Sequence, residues 1–179
     1  PSLSIGGISV ADDDDNLSTV QLSVSNGTLN VTLQGAASVS AGSNGSADLT
    51  LSGSLTDINS TLATLAYQGN LHFNGSDTLT VLSTDGDSAT DSDTVAITVN
   101  AVNDEPSFTT AGNQSVAYES GAHTVAGFAT PAAGGAADES GQTFRYTVSN
   151  DNNALFSVQP DIDASGQLTY TVANGQTGT

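Results

Sequence analysis

Valine, leucine and isoleucine recur at every second position in short runs, and the runs stop at glycine turns or clustered carboxylates. Val20, Leu22 and Val24 alternate with Gln21, Ser23 and Ser25. Asn26-Gly27 follows, and Leu29, Val31 and Leu33 alternate again. A strand points successive side chains to opposite faces, so a period of two gives each run one apolar face. Asn-Gly is the strongest short hairpin signal because it supplies the positive-φ residues of a tight turn. Leu49 and Leu51, then Leu79 and Val81, restart the pattern, and Val95, Ile97 and Val99 form its clearest instance. Leu3, Ile5, Ile8 and Val10 carry an apolar pattern broken by Gly6-Gly7, which predicts a bulge or bend. Residues 35–46, rich in Gly, Ala, Ser and Asn, predict a loop.

One segment departs from this period. Leu55, Ile58, Leu62 and Leu65 fall on one helical face, so a short helical turn is expected near residues 55–65. At Asn103-Asp104-Glu105-Pro106 the chain reads as a domain boundary, because Pro106 has no donor and holds Glu105 extended. Beyond it the rhythm resumes at Val116 and Tyr118, Val125 and Phe128, Phe144, Tyr146 and Val148, Phe156 and Val158, and Leu168, Tyr170 and Val172. Short strands at this spacing predict an all-β chain of two tandem Greek-key β-sandwich domains, 1–104 and 105–179. Both read as cut. The first begins partway into a strand, and the second stops without a closing strand like that of residues 93–102.

The acids constrain function. Nineteen Asp and Glu face one Arg and no Lys, for a net charge of -18. That balance excludes nucleic acid and anionic membrane surfaces, which need a basic footprint. Asp12 to Asp15, Asp85-Gly86-Asp87, Asp91-Ser92-Asp93 and Asn103-Asp104-Glu105 all sit at strand ends. Clustered oxygens without a basic partner repel one another, and Ca2+, a hard cation with many oxygen ligands, relieves this best. Acidity that serves only hydration in salt is the competing reading. There is no Cys, so disulfide and thiol chemistry are excluded. No apolar stretch reaches the ~20 residues that span a bilayer.

Ala101-Val102-Asn103-Asp104-Glu105-Pro106-Ser107-Phe108 resembles the linker of cadherin repeats. The stretch from Phe73 to Pro106 is similar to the end, and that from Ile8 to Val31 to the start, of cadherin-like tandem repeats in giant bacterial surface proteins, the RTX-type adhesins exported by type I secretion. Ala137 to Asp151 looks like a divergent cousin. The resemblance implies cadherin/Ig-like folds with a calcium site at each junction. It places Asp12, Asp14 and Asp85 at one pole of the first domain, Asn103 and Asp104 in the linker, Asp77 facing that linker, and Asp138 and Glu119 in the second domain. Asp138 departs from the Asp-x-Asp pattern, because Glu139 and Ser140 follow it.

Other signals are bland. Asp87, Asp91 and Asp93 suit ordinary turns. His72 and His123 lack metal-ligand companions, and Arg145 beside Phe144 and Tyr146 suits an internal salt bridge. Asn-x-Ser/Thr at Asn26, Asn59 and Asn74 is expected by chance in so Asn-, Ser- and Thr-rich a chain. No catalytic constellation emerges: Cys nucleophile, Lys, phosphate loop and His-based triad are all absent. A carboxylate-pair glycosidase needs aromatic platforms that a chain without Trp does not provide. The resulting expectation is a non-enzymatic, extracellular segment of a bacterial surface adhesin, stiffened by Ca2+ and partnered by neighbouring repeats of the same chain. The alternatives are a module binding polysaccharide, protein or other copies of itself, and a filament subunit joined by strand exchange.

Overall fold

The computed structural model describes residues 2–132 and 137–178. The chain is all-β with one short α-helix and forms two compact units, Pro1–Val102 and Asn103–Thr179. The division falls just before the Asn103-Asp104 pair, slightly earlier than the boundary read from the sequence.

In unit 1 the strands are β1 (Leu3–Ser4), β2 (Leu17–Ser23), β3 (Gly27–Asn30), β4 (Ser38–Gly42), β5 (Asp48–Ser52), β6 (Ala66–Gly69), β7 (Gly75–Asp85) and β8 (Thr90–Val99). They form a three-stranded sheet ordered β1-β6-β3 and a five-stranded sheet ordered β4-β5-β2-β7-β8. All their ladders are antiparallel. The alternating residues of both sheets meet in one core: Val20, Leu22, Leu49, Leu51 and Leu79 from the larger sheet, Leu29 and Tyr67 from the smaller. Strand β8 is an edge, and its outer end carries Asp91 and Asp93, both exposed.

The helix α1 (Leu55–Leu62) forms where the period changes. Ser54 Oγ accepts from the Asp57 N–H at 3.2 Å, which caps the N-terminus, and Asp57 in the first turn complements the helix dipole. Ile58 and Leu62 enter the core, as does Leu65 just beyond the helix. Asp57 also anchors the preceding loop by accepting from the Ala36 N–H at 3.2 Å. Gly35 sits at φ 58° against that carboxylate, where a Cβ would overlap Asp57.

Three local expectations are corrected. Residues 38–42 form β4 rather than loop, paired along β5. The first apolar segment makes a strand only at Leu3–Ser4, since Gly7 turns away at φ 80°. Ile8 and Val10 still pack on the core, and the Asn59 side chain serves Val10 as a ladder partner would. Its Oδ1 accepts from the Val10 N–H and its Nδ2 donates to the Val10 carbonyl, each at 2.9 Å. Likewise β3 stops at Asn30 rather than running to Leu33, and Asn44 pairs with both backbone groups of Val31 at 2.8 Å.

Unit 2 contains β9 (Ser107–Thr110), β10 (Ala122–Val125), β11 (Ala129–Ala132), β12 (Phe156–Ile162) and β13 (Leu168–Val172). They form a three-stranded sheet ordered β10-β13-β12 and a two-stranded sheet of β9 and β11. Leu168, Tyr170 and Val172 make its core cluster, with Val125, Phe128, Phe156 and Ile162 against them. The expected strands around Val116–Tyr118 and Phe144–Val148 have no ladder partner among the described residues.

Leu51 is fully buried in unit 1. Leu51→Ala should therefore cost unit 1 about 2–5 kcal/mol, read from denaturant unfolding. Replacing Asn59 by Leu leaves both Val10 backbone groups unmatched and should cost about 1–3 kcal/mol in the same assay.

Candidate functional site

The best-organised polar centre surrounds Asp77 on β7. Its residue exposure is 5%, so an ionised carboxylate there requires donors. The turn after β2 supplies two: the Ser25 N–H reaches Oδ1 at 3.1 Å and the Asn26 N–H reaches Oδ2 at 2.9 Å. The Thr78 N–H adds a contact to Oδ1 at 2.8 Å, and the Tyr67 hydroxyl donates to Oδ2 at 2.9 Å. Tyr67 lies on β6, so the carboxylate ties the two sheets of unit 1 together. Gly27 opens the approach, because a Cβ there would collide with the Tyr67 ring and the Gln68 carbonyl.

Burial pushes the Asp77 pKa up, but the N–H groups of Asn26, Thr78 and Ser25 and the Tyr67 hydroxyl outweigh it and hold the carboxyl below its ordinary value of 3.8. Tyr67 moves the other way. Burial, then the hydrogen bond to Asp77 and its negative charge, push the phenol up to about 12. Both shifts favour a carboxylate beside a neutral phenol at neutral pH.

The acidic turns at the opposite end of β7 are arranged differently. Asp12 Oδ1 accepts from the Asp14 N–H at 3.0 Å, while its Oδ2 is buried without a partner. Asp14 is exposed. Asp85 Oδ1 accepts from the N–H groups of Asp87 at 2.9 Å and Ala89 at 2.8 Å, closing the turn from β7 to β8. Asn16 joins the two turns: its carbonyl accepts from the Gly86 N–H at 2.9 Å, and its amide reaches Asp87 at 3.4 Å. The structure thus brings the turns of Asp12 and Asp85 together, and much of their carboxylate valence is spent on their own backbone.

In unit 2, Asn103, Asp104 and Glu139 meet. The Asp104 N–H donates to Glu139 Oε1 at 2.6 Å, and Gln142 Nε2 donates to Asn103 Oδ1 at 3.2 Å. Glu139 is 4% exposed, and its Oε2 has no hydrogen-bond partner. Sequence reasoning chose Asp138, which is exposed on the same 3-10 turn; the inward residue is its neighbour. Glu119 is exposed in a tight turn at φ 53° rather than on a strand. Among the described residues, no three His, Cys, Asp or Glu side chains are grouped so as to hold a metal ion. His123 is bound by Ser120 at 2.7 Å and stacks on Tyr170, and Arg145 is exposed with no ion pair among the described residues, against the expected salt bridge.

The fold and this centre define an acidic all-β chain whose most ordered polar group is a sandwich-closing carboxylate. A family model, the Protein GAMETE EXPRESSED 2 domain, matches residues 7–94. No curated protein and no solved structure matches the chain. The family match corrects the resemblance to bacterial cadherin-like RTX repeats, and with it the reading as a calcium-stiffened bacterial adhesin stalk. The Val/Leu alternation and the Asp-containing turns behind that resemblance suit strands and turns in general.

A carboxyl whose folded pKa is depressed adds stability that is fully present above the unfolded value near 3.8 and is lost as pH falls through the folded pKa. The melting temperature of unit 1 should therefore drop in acid, and Asp77→Asn should remove part of that dependence. At neutral pH the same substitution sets an amide N–H against backbone donors and should cost about 3 kcal/mol or more in denaturant unfolding.

Proposed function

We propose that the chain is a non-enzymatic, extracellular recognition segment of a gamete protein, with unit 1 as its GAMETE EXPRESSED 2-type domain. The observation that carries this reading is the coincidence of the family match at residues 7–94 with the independently compact unit Pro1–Val102. Unit 1 buries its apolar residues in one core and, Asp77 apart, leaves its carboxylates exposed or half-buried, which suits a scaffold that presents surface rather than a substrate cleft. The net charge of -18 favours partners that are protein and not anionic. Neighbouring units of the same polypeptide are among those partners. A polysaccharide partner is disfavoured by the lack of Trp.

Fluorescently labelled chain should stain intact gametes of the source organism and leave its somatic cells dark. Equal staining of both cell types, or staining that survives heat denaturation of the chain, would count against the reading.

Calcium enters as a proposal for one corner of unit 2 alone. Its support is the buried Glu139 Oε2 without a partner, beside the oxygen-rich Asn103 and Asp104. Calcium should then raise the melting temperature of the chain, and Glu139→Gln should abolish the rise. An identical rise in that variant would remove Glu139 from any ion site.

A further inference from the structure

Unit 1 holds a groove on the flank of its core. It has a volume of about 400 Å3 and runs between the segment 7–11 and the face of β7 and β8 that carries Val81 and Val95. Ile8, Val10, Val81 and Val95 give it apolar walls. Val81 belongs to the core, and the other three are half-buried against it, so apolar surface stays open to an occupant. Every lining residue lies between Gly7 and Val95, inside the compact unit.

Two carboxylates complete the walls. Asp93 pairs with Val81 and Asp91 with Ser83 in the ladder of β7 and β8. The strand period of two puts both on the face where Val95 and Ile97 pack toward the core. Both are exposed, and neither side chain has a hydrogen bond or ion pair among the described residues. Unit 1 cannot neutralise them from its own sequence. It has no Lys and no Arg, since the chain's one Arg is Arg145, and His72 precedes the other end of β7 from Ser83. More acid adjoins the groove, because Ala11 leads into Asp12–Asp15 and β7 ends at Asp85.

The occupant has to meet both demands. A bare cation would satisfy the carboxylates and leave the apolar walls uncovered, and an apolar side chain would do the reverse. An arginine side chain does both: its aliphatic stem lies on apolar surface while its guanidinium offers a carboxylate two parallel N–H donors. A second copy of this chain is not the source, with one Arg and no Lys to offer.

We propose that this groove receives arginine side chains from an extended segment of a partner protein, two of them at Arg-x-Arg spacing. Alternate residues of an extended chain are about 7 Å apart, so arginines two residues apart match the spacing of Asp91 and Asp93. The stems rest on Ile8, Val10, Val81 and Val95. This assignment rests on the recognition reading and names the chemistry that unit 1 would read in its partner.

The test uses the whole chain in about 0.15 M salt, where charges more than roughly 8 Å apart are largely screened. Three labelled peptides are followed by fluorescence anisotropy. The first carries Arg-Val-Arg between Gly and Ser residues, the second replaces each arginine by neutral citrulline, and the third replaces it by lysine. The first should bind saturably, the second at least tenfold more weakly and the third at least threefold more weakly. Asp91→Asn with Asp93→Asn should lose at least tenfold in affinity for the first peptide. Asp151→Asn with Asp161→Asn removes the same charge from exposed positions of unit 2 and should change affinity less than twofold. Ser83→Phe fills the groove while keeping every carboxylate, and should lose at least tenfold at an unchanged melting temperature. Where that variant melts early, Val95→Phe on the edge strand takes its place. Equal loss in the two Asn pairs, or equal binding of the lysine peptide, would reduce the effect to general charge attraction and overturn the proposal. Full affinity in the folded Phe variant, or no saturable binding of the first peptide, would do so as well. Failure of the chain to stain gametes would overturn the recognition reading, whereas the groove stands or falls on the peptides.

Discussion

A β-sandwich must keep two sheets in one fixed relation, and in unit 1 a single buried carboxylate sets much of it. Asp77 gathers two N–H groups from the turn after β2, one from its own strand and a phenol from the facing sheet. A hydrophobic core is tolerant of sliding, because dispersion and burial have little direction. Hydrogen bonds to a charge in a low-dielectric site have strict geometry and a large penalty when unmet. The apolar layers supply the bulk of the stabilisation, and Asp77 selects which alignment of them survives. Gly27 belongs to the same arrangement, since only a residue without a Cβ lets Tyr67 come so close.

Much of this fold is legible in the sequence because the period of two is local. Val20 to Val24, Leu49 and Leu51, and Val95 to Val99 announce strands without reference to anything distant, and the spacing of Leu55, Ile58 and Leu62 announces the helix. What stays hidden is pairing between distant residues. Asn44 and Asn59 look like ordinary polar positions, yet each amide replaces a missing strand for one residue, 13 and 49 positions away in sequence. The Asp77 position stood out as a ligand, but its role depends on Ser25, Asn26 and Tyr67, whose convergence no motif encodes. Asp138 and Glu139 illustrate a finer limit: on a short 3-10 turn, adjacent residues face different ways, and a pattern match cannot choose between them.

The two units use similar sequence rhythms to different ends. In unit 1 most apolar alternations find an opposing face, with Leu3 and Leu33 left exposed, and its largest core residues reach full burial. In unit 2 the alternations at Val116 and Tyr118 and at Phe144, Tyr146 and Val148 are just as regular, but they meet no ladder among the described residues. The Tyr146 hydroxyl is buried there with no hydrogen-bond partner, while its ring meets Phe108 edge-on at 5.5 Å. Alternation is a statement about which face is apolar. Whether that face is met is decided by chain topology.

The edge strand β8 carries a consequence for how copies of the molecule meet. Asp91 and Asp93 stand on the same side of the strand as Ile97, so the charge occupies positions that would otherwise be apolar. Two such edges meeting antiparallel would bring carboxylates to within about 5 Å, the distance between paired strands. Like charges directly opposite one another across a strand pair destabilise it, so the pattern disfavours edge-to-edge pairing through β8. The edge most able to template another strand thus carries its protection in its own side chains, at positions where the period of two calls for apolar residues.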